Sequence, residues 1–277
     1  MEYLNSLLSI DPNYIAMGLL VVFYSLEFLL KKEFPFKNRP QHFFQNALFQ
    51  IVFLLGNILF AYLIVFVITW FTNNKIGLLY LFNIPYWVKL VLAVPLFDLT
   101  TYWFHRAAHK IPVVWRFHRV HHSDTTLDSS SYMRGHPVEI FFWFGVGNMV
   151  ACGLFGLDLL GLGLYVIVST PMVLMEHTNL KFPRWWDKTF GLFITTPNMH
   201  KIHHDQDQFY TDSNFADIFI LWDKLFGTFK YKSPELIQFG LKEFDEKKKQ
   251  TFWYLLRSPF LKIERVQSTI LPKEQSK

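Results

Sequence analysis

From Phe43 to Phe71 the chain reads FFQNALFQIVFLLGNILFAYLIVFVITWF, without a single charged side chain. Coiled as an α-helix at about 1.5 Å per residue, this run exceeds the roughly 30 Å hydrocarbon thickness of a bilayer. Inside lipid every backbone amide must pair within its own segment, so such a run is expected to be a helix. Three other apolar stretches accompany it. Residues 14–30 contain Glu27 as their only charge, residues 84–104 are broken by Lys89 and Asp98, and residues 140–175 hold two shorter runs around Asp158. Gly153, Gly156, Gly161 and Gly163 mark the bend of that last pair, which is short enough for a re-entrant hairpin. With 51% hydrophobic residues and 31 Phe among 277, the chain is too apolar for an ordinary soluble domain. The expected fold is an all-α integral membrane protein with four or five transmembrane or re-entrant helices.

Charge placement sets an expected orientation. Residues 1–13 carry only Glu2 and Asp11, whereas the next connection holds Lys31, Lys32, Lys37 and Arg39. The connection around residues 72–83 has only Lys75, and the segment after the third span has Arg106, Lys110, Arg116, Arg119 and Arg134. By the positive-inside rule the N-terminus faces out and the basic segments face the cytoplasm. The pI of about 9.1 then follows from topology and anionic headgroups, and no nucleic-acid partner is expected. Without a basic n-region or a small-residue cleavage site, no removed signal peptide is expected either. The single cysteine, Cys152, lies in an apolar run and reads as a small buried hydrophobe.

Ten of the eleven histidines fall between His105 and His204. They read His105-x3-His109, His118-x2-His121-His122, His136, His177 and His200-x2-His203-His204. Positions i, i+3 and i+4 share one helix face, so these imidazoles can converge, and imidazole ligates iron, zinc, copper or nickel. Two such triplets and a pair exceed what one ion can take, which points to two metals in a histidine-rich helical cap on the cytoplasmic side. Asp98, seven residues before His105, is expected on the same face as an acceptor for a ligand's free N–H. The outlier His42 is expected to be dispensable. A metal transporter would distribute its ligands near mid-membrane, and a bis-histidine haem protein would not need adjacent His pairs.

In order along the chain, DLTTYWFHRAAH, RFHRVHHS, RGHPVE, EHTN, TTPNMHKIHH, SNFA and WDKLFGTF resemble the fatty acid hydroxylase/sterol desaturase superfamily of membrane di-iron oxygenases. The resemblance covers about residues 95–230. It implies a catalytic domain over 95–230, after N-terminal transmembrane helices in 1–94 and before a charged, amphipathic cytoplasmic tail in 231–277. It also implies two non-haem irons, O2 as co-substrate and oxidation of a bilayer lipid by C–H hydroxylation, with desaturation as the alternative outcome. By motif, His105, His109, His118, His121, His122, His200, His203 and His204 match the box positions, and His177 and His136 match further ligand positions. Glu176, Asn179, Asn198 and Asp205 stand beside them as candidate partners of the ligands. Asn214, Trp222 and Asp223 are expected to tie the segment after the third box onto the cap. The chain carries no haem-binding signature, no dinucleotide fingerprint and no cysteine cluster. Electrons are therefore expected from a separate reductase or small carrier docking on the basic face.

Overall fold

Apolar segments that must pair their own backbone produce a chain that is 71% helical, with no strand among the described residues. The computed structural model describes residues 12–266 apart from 31, 33, 36 and 37. Glu2, Asp11, Lys31 and Lys37, used for the orientation, and the end of the tail lie outside the described residues.

The main helices are α1 (Pro12–Leu29), α2 (Arg39–Asn73), α3 (Tyr86–Lys110), α4 (Pro112–His122), α5 (Gly145–Phe155) and α6 (Leu159–Glu176). Shorter ones follow: α7 (Arg184–Thr189), α8 (Pro197–His203), α9 (Leu221–Leu225) and α10 (Phe252–Arg257). Three stretches are long and apolar enough to cross a membrane: Phe60–Leu81, Tyr86–Lys110 and Leu159–Glu176. Tyr14–Leu29 and Gly145–Phe155 are shorter apolar helices. The chain is thus an all-α membrane protein. On α2, Leu55, Ile58, Tyr62, Phe66 and Trp70 form an exposed stripe at helical spacing, opposite the buried Phe49 and Ile68. Water would penalise such a stripe, whereas lipid is its natural surroundings.

α3 lies at the centre and packs on α4, α5 and α6. Ile68, Ala93, Phe97, Ala151, Cys152 and Tyr165 form the core between these helices. At its outer end the α5–α6 bend sits against the α2–α3 turn. Gly77 (φ 124°) and Gly156 (φ 79°) approach so closely there that a Cβ on Gly77 would lie 2.0 Å from the Gly156 nitrogen. Asp158 starts α6 by accepting from Gly161 N at 2.9 Å, and takes a second bond from the Tyr86 hydroxyl at 2.6 Å.

Glu27, the one charge in the first apolar stretch, is fully buried and fully engaged. It pairs with Arg39, at the start of α2, and accepts from Ser129 N (2.9 Å), Ser129 Oγ (2.8 Å) and Asn179 N (2.9 Å). Arg39 also reaches Asp128 at 3.3 Å. One buried ion pair therefore joins α1, α2, the 128–131 turn and the residues just after His177.

Three contacts could not be read from local spacing. Tyr102 is buried and its hydroxyl meets Thr228 Oγ1 at 2.8 Å, whereas Trp103 faces outward. Beyond residue 235, Leu241, Phe244, Phe252 and Leu255 pack on Phe49, Trp115 and Val120. Arg119 fixes that packing by donating to Ser258 O at 2.7 Å. His42 is held in place as well, its Nε2 lying 2.8 Å and 2.9 Å from the two Asp124 carboxylate oxygens. Each of these depends on partners far away in sequence.

Removing one partner of a buried ion pair strands the other. Glu27→Ala is expected to cost about 3–5 kcal/mol, read as a lowered melting temperature in detergent. A Glu27→Leu/Arg39→Leu double variant should recover part of that loss; a melting temperature unchanged by Glu27→Ala would contradict the clamp.

Candidate metal centre

Four elements converge on one place. α3 presents His105 and His109 one turn apart, and α4, begun by Pro112 and so pre-set in helical φ, presents His118, His121 and His122. His177 is the residue that ends α6. Thr196 caps α8 by accepting from Met199 N, which sets His200, His203 and His204 on the next turns. The nine imidazoles divide into two groups whose ring nitrogens lie within 4.8 Å of one another: His105, His109, His118, His122 and His203 in one, and His121, His177, His200 and His204 in the other. The groups adjoin, with the His122 and His204 rings stacked at 4.7 Å.

Hydrogen bonds decide which nitrogen of each ring faces inward. The Nδ1 atoms of His105, His121, His177 and His203 lie 2.6–3.0 Å from the carbonyl oxygens of Phe215, Arg134, Val173 and Ser213. A carbonyl only accepts, so each Nδ1 carries the proton and each Nε2 is left as a lone pair. The His118 Nδ1 meets the Glu139 carboxylate in the same sense, and the His109 Nδ1 meets Asp212 at 3.3 Å. Nε2 of His105 lies 3.1 Å from Nε2 of His118, and Nε2 of His121 lies 3.1 Å from Nε2 of His177. Two lone pairs at that distance repel and cannot hydrogen-bond. The buried Nε2 atoms of His109 and His203 have no hydrogen-bond partner among the described residues. A cation removes both problems, because nitrogens at right angles about a metal about 2.1 Å away sit about 3.0 Å apart. The donor set is entirely imidazole, which suits iron among other transition metals.

Burial, and then the neighbouring imidazoles, hold the pKa values of His121, His122, His200, His203 and His204 well below 6.5. Burial lowers His177 to about 4. These rings stay neutral, the form that binds metal.

The expected supporting residues fare unevenly. Glu176 does come to the site, with Oε2 at 3.6 Å from the otherwise unpartnered Nδ1 of His200. Asp98 does not accept from His105. Its carboxylate instead takes Ile218 N (3.0 Å), Phe219 N (2.9 Å) and Trp222 Nε1 (2.9 Å), because the loop after the third box folds back under α3. It acts on His105 only at one remove, through the loop that carries the Phe215 carbonyl. Asn179 bonds Phe34 N and O, Asn198 bonds Asp187, and Asp205 bonds Asp207 N, Gln238 N and Lys232; none of these side chains is bonded to an imidazole. His136 lies outside both groups, since its Nδ1 accepts from Val138 N and its Nε2 donates to Leu256 O at 3.1 Å. It caps a helical turn. The sequence reading missed Glu139, although it ends the RGHPVE motif, and Asp212, because their separations from His118 and His109 follow no helical spacing. The tie after the third box is as expected: Asn214 bonds Met199 O and Lys230 O, and Asp223 bonds Phe215 N and Ala216 N.

A cavity of about 300 Å3 opens beside the histidines, between α2, α3, α5 and α6. His105, His118, His121, His177 and His200 form its floor, and Phe53, Phe104, Phe144 and Val173 line its walls.

Fold and site together define a helical membrane protein that gathers nine histidines, eight of them buried, beside an apolar cavity. The fatty acid hydroxylase family model matches residues 90–228, and the chain belongs to that family. It is 29% identical over 174 residues to human (Homo sapiens) alkylglycerol monooxygenase, covering 58% of this chain and 35% of that protein. It is 31% identical over 161 residues to a very-long-chain aldehyde decarbonylase of Oryza sativa subsp. indica, covering 56% and 59% of the two chains. An ornithine lipid hydroxylase of Rhizobium tropici is 29% identical over 150 residues, covering 52% and 43%. The chain thus spans about a third of the alkylglycerol monooxygenase and less than two thirds of the other two. No solved structure matches the chain.

Two outcomes follow from the geometry. His136→Ala should keep the metal content of the parent and lose about 1 kcal/mol of stability with its cap, measured by elemental analysis and melting; a metal content lowered by this change would make His136 a ligand. The second concerns pH. His121, His122, His177, His200, His203 and His204 titrate below 6.5 in the folded chain, so under acid conditions the unfolded chain binds more protons than the folded one. Chelator-stripped protein should therefore melt at falling temperatures as pH drops from 7 toward 4, and metal-loaded protein should melt higher at pH 7 and lose that advantage as protons displace the metal. A flat profile for the stripped form would count against the neutral cage.

Proposed function

We propose that the chain is a membrane-bound, di-iron, O2-dependent hydroxylase acting on a lipid. What supports this reading above all is the convergence of inward-facing imidazole nitrogens into adjoining groups of five and four on the floor of an apolar cavity. His105, His109, His118, His122 and His203 would hold one iron, and His121, His177, His200 and His204 the other. Two irons held there, with O2 and electrons from an outside donor, would supply an oxidant for an unactivated C–H bond, which side chains alone cannot attack.

The protein's own share is placement and insulation. Glu139 and Asp212 hold the His118 and His109 rings by their Nδ1 protons and offset part of the positive charge of the centre. Phe104, Phe144 and Val173 keep water from the carbon presented to the floor. A lipid reaches the cavity from the bilayer between helices, without leaving apolar surroundings. A separate redox partner, a reductase or small carrier, docks on the basic side of the cap, which we place in the cytoplasm from the lysine and arginine distribution. Desaturation is the nearest variant, since hydrogen abstraction from carbon is common to both outcomes.

The test compares lipid extracts of cells with and without the chain by mass spectrometry. A product heavier by one oxygen atom is expected, and loss of two hydrogens would make the chain a desaturase. His121→Ala and His203→Ala, one from each group, should abolish the product while membrane insertion persists. Asp212→Ala should lower turnover about 10–100-fold. Oxidation undiminished in both histidine variants, or a Soret band with one haem per chain, would overturn the proposal.

A further inference from the structure

The cavity is not uniformly apolar. Facing into it, beside the histidine floor, are Asp217, Tyr165 and Thr101. Asp217 is presented there by the backbone on either side of it. Asp223 takes the amides of Phe215 (2.8 Å) and Ala216 (2.9 Å), and Asp98 takes those of Ile218 (3.0 Å) and Phe219 (2.9 Å). Two buried carboxylates thus spend themselves on holding the loop still, and the third carboxyl, between them, faces the cavity. Across from it, Thr101 Oγ1 and the Tyr165 hydroxyl lie 2.9 Å apart, with Tyr165 held by its stack on Phe97 at 5.3 Å. One proton satisfies that pair, so a second hydroxyl proton remains for a ligand.

A bare hydrocarbon filling this space would leave these groups buried and unsatisfied, which is the arrangement folded proteins avoid. We propose that Asp217, Tyr165 and Thr101 form a subsite for a free hydroxyl on the lipid's polar head. The cavity has room for on the order of ten non-hydrogen atoms. A hydroxyl seated at Asp217 therefore puts a carbon only a few bonds away over the histidines. The enzyme oxidises its lipid near the head, not at the far end of the tail. Burial, and then the charges of Asp98 and Asp223, push the Asp217 carboxyl up to about 8. At neutral pH it is mostly protonated, and both donates and accepts, which suits a neutral hydroxyl and not a phosphate. This rests on reading the cavity as the substrate site.

The experiment uses the full, metal-loaded chain in detergent and two probes, hexadecylglycerol and its dimethyl ether, which lacks free hydroxyls. Displacement of radiolabelled hexadecylglycerol gives both affinities. The parent protein should bind the free diol about tenfold more tightly, the effect of one well-formed hydrogen bond. Asp217→Leu should erase that ratio, whereas Asp217→Asn, which still donates and accepts, should keep most of it. A merely structural role would weaken both probes alike and leave the ratio unchanged. Tyr165→Phe should reduce the ratio by itself, and the parent's own ratio needs no variant to fold. Equal affinities in the parent, binding of neither probe, or a ratio that survives Asp217→Leu would overturn the subsite. Oxidation is scored separately by product mass: hydroxyl-selective binding without an oxidised product would sink the hydroxylase reading and leave the subsite standing.

Discussion

Nine imidazoles cannot share one small volume as neutral rings unless their lone pairs have something to bind, and the surrounding structure is organised around that constraint. Every ring whose Nδ1 proton is taken by a carbonyl or carboxylate must turn its Nε2 inward. The acceptors come from scattered places: the loop after α8, the 134–139 segment, and the last turn of α6. Holding those acceptors still is therefore as much a condition of the site as the histidines are. Asp98 and Asp223 pin the 215–219 loop that carries the acceptor for His105, and Asn214 ties the start of that loop to α8.

The same logic explains charges that look misplaced in an apolar chain. Glu27 sits in a stretch that lipid should keep neutral, yet its oxygens are met by Arg39, Ser129 and the Asn179 amide. An unpaired carboxylate there would be costly, and a paired one links α1 to the residues that follow His177. The helices exposed to lipid thus hold one wall of the histidine site through a polar joint. The tail contributes as well, because Phe244 and Phe252 close the core behind Trp115 on α4, the helix that bears His118, His121 and His122.

The helices and the histidines were legible in the sequence because both depend on short-range periodicity. An uncharged run longer than a bilayer is thick must be a helix whatever its neighbours do, and His at i, i+3 and i+4 must share a face. His177 was reachable only through its motif, since it stands alone in sequence, and His136 shows the limit of that route. It occupies a motif position, but its two ring nitrogens are spent on Val138 and Leu256.

What the sequence determined by itself was the class of fold and the set of residues able to hold metal, because these follow from local spacing and apolar length. Only the tertiary structure decided how the histidines divide into groups of five and four. It also decided that Glu139 and Asp212, and not Asp98, meet the imidazoles, and that Asp217 faces the cavity. Each of these joins residues separated by a dozen to more than a hundred positions. No repeat of 3.6 carries information over that range; it is set by how the helices pack and where the loop between α8 and α9 folds back.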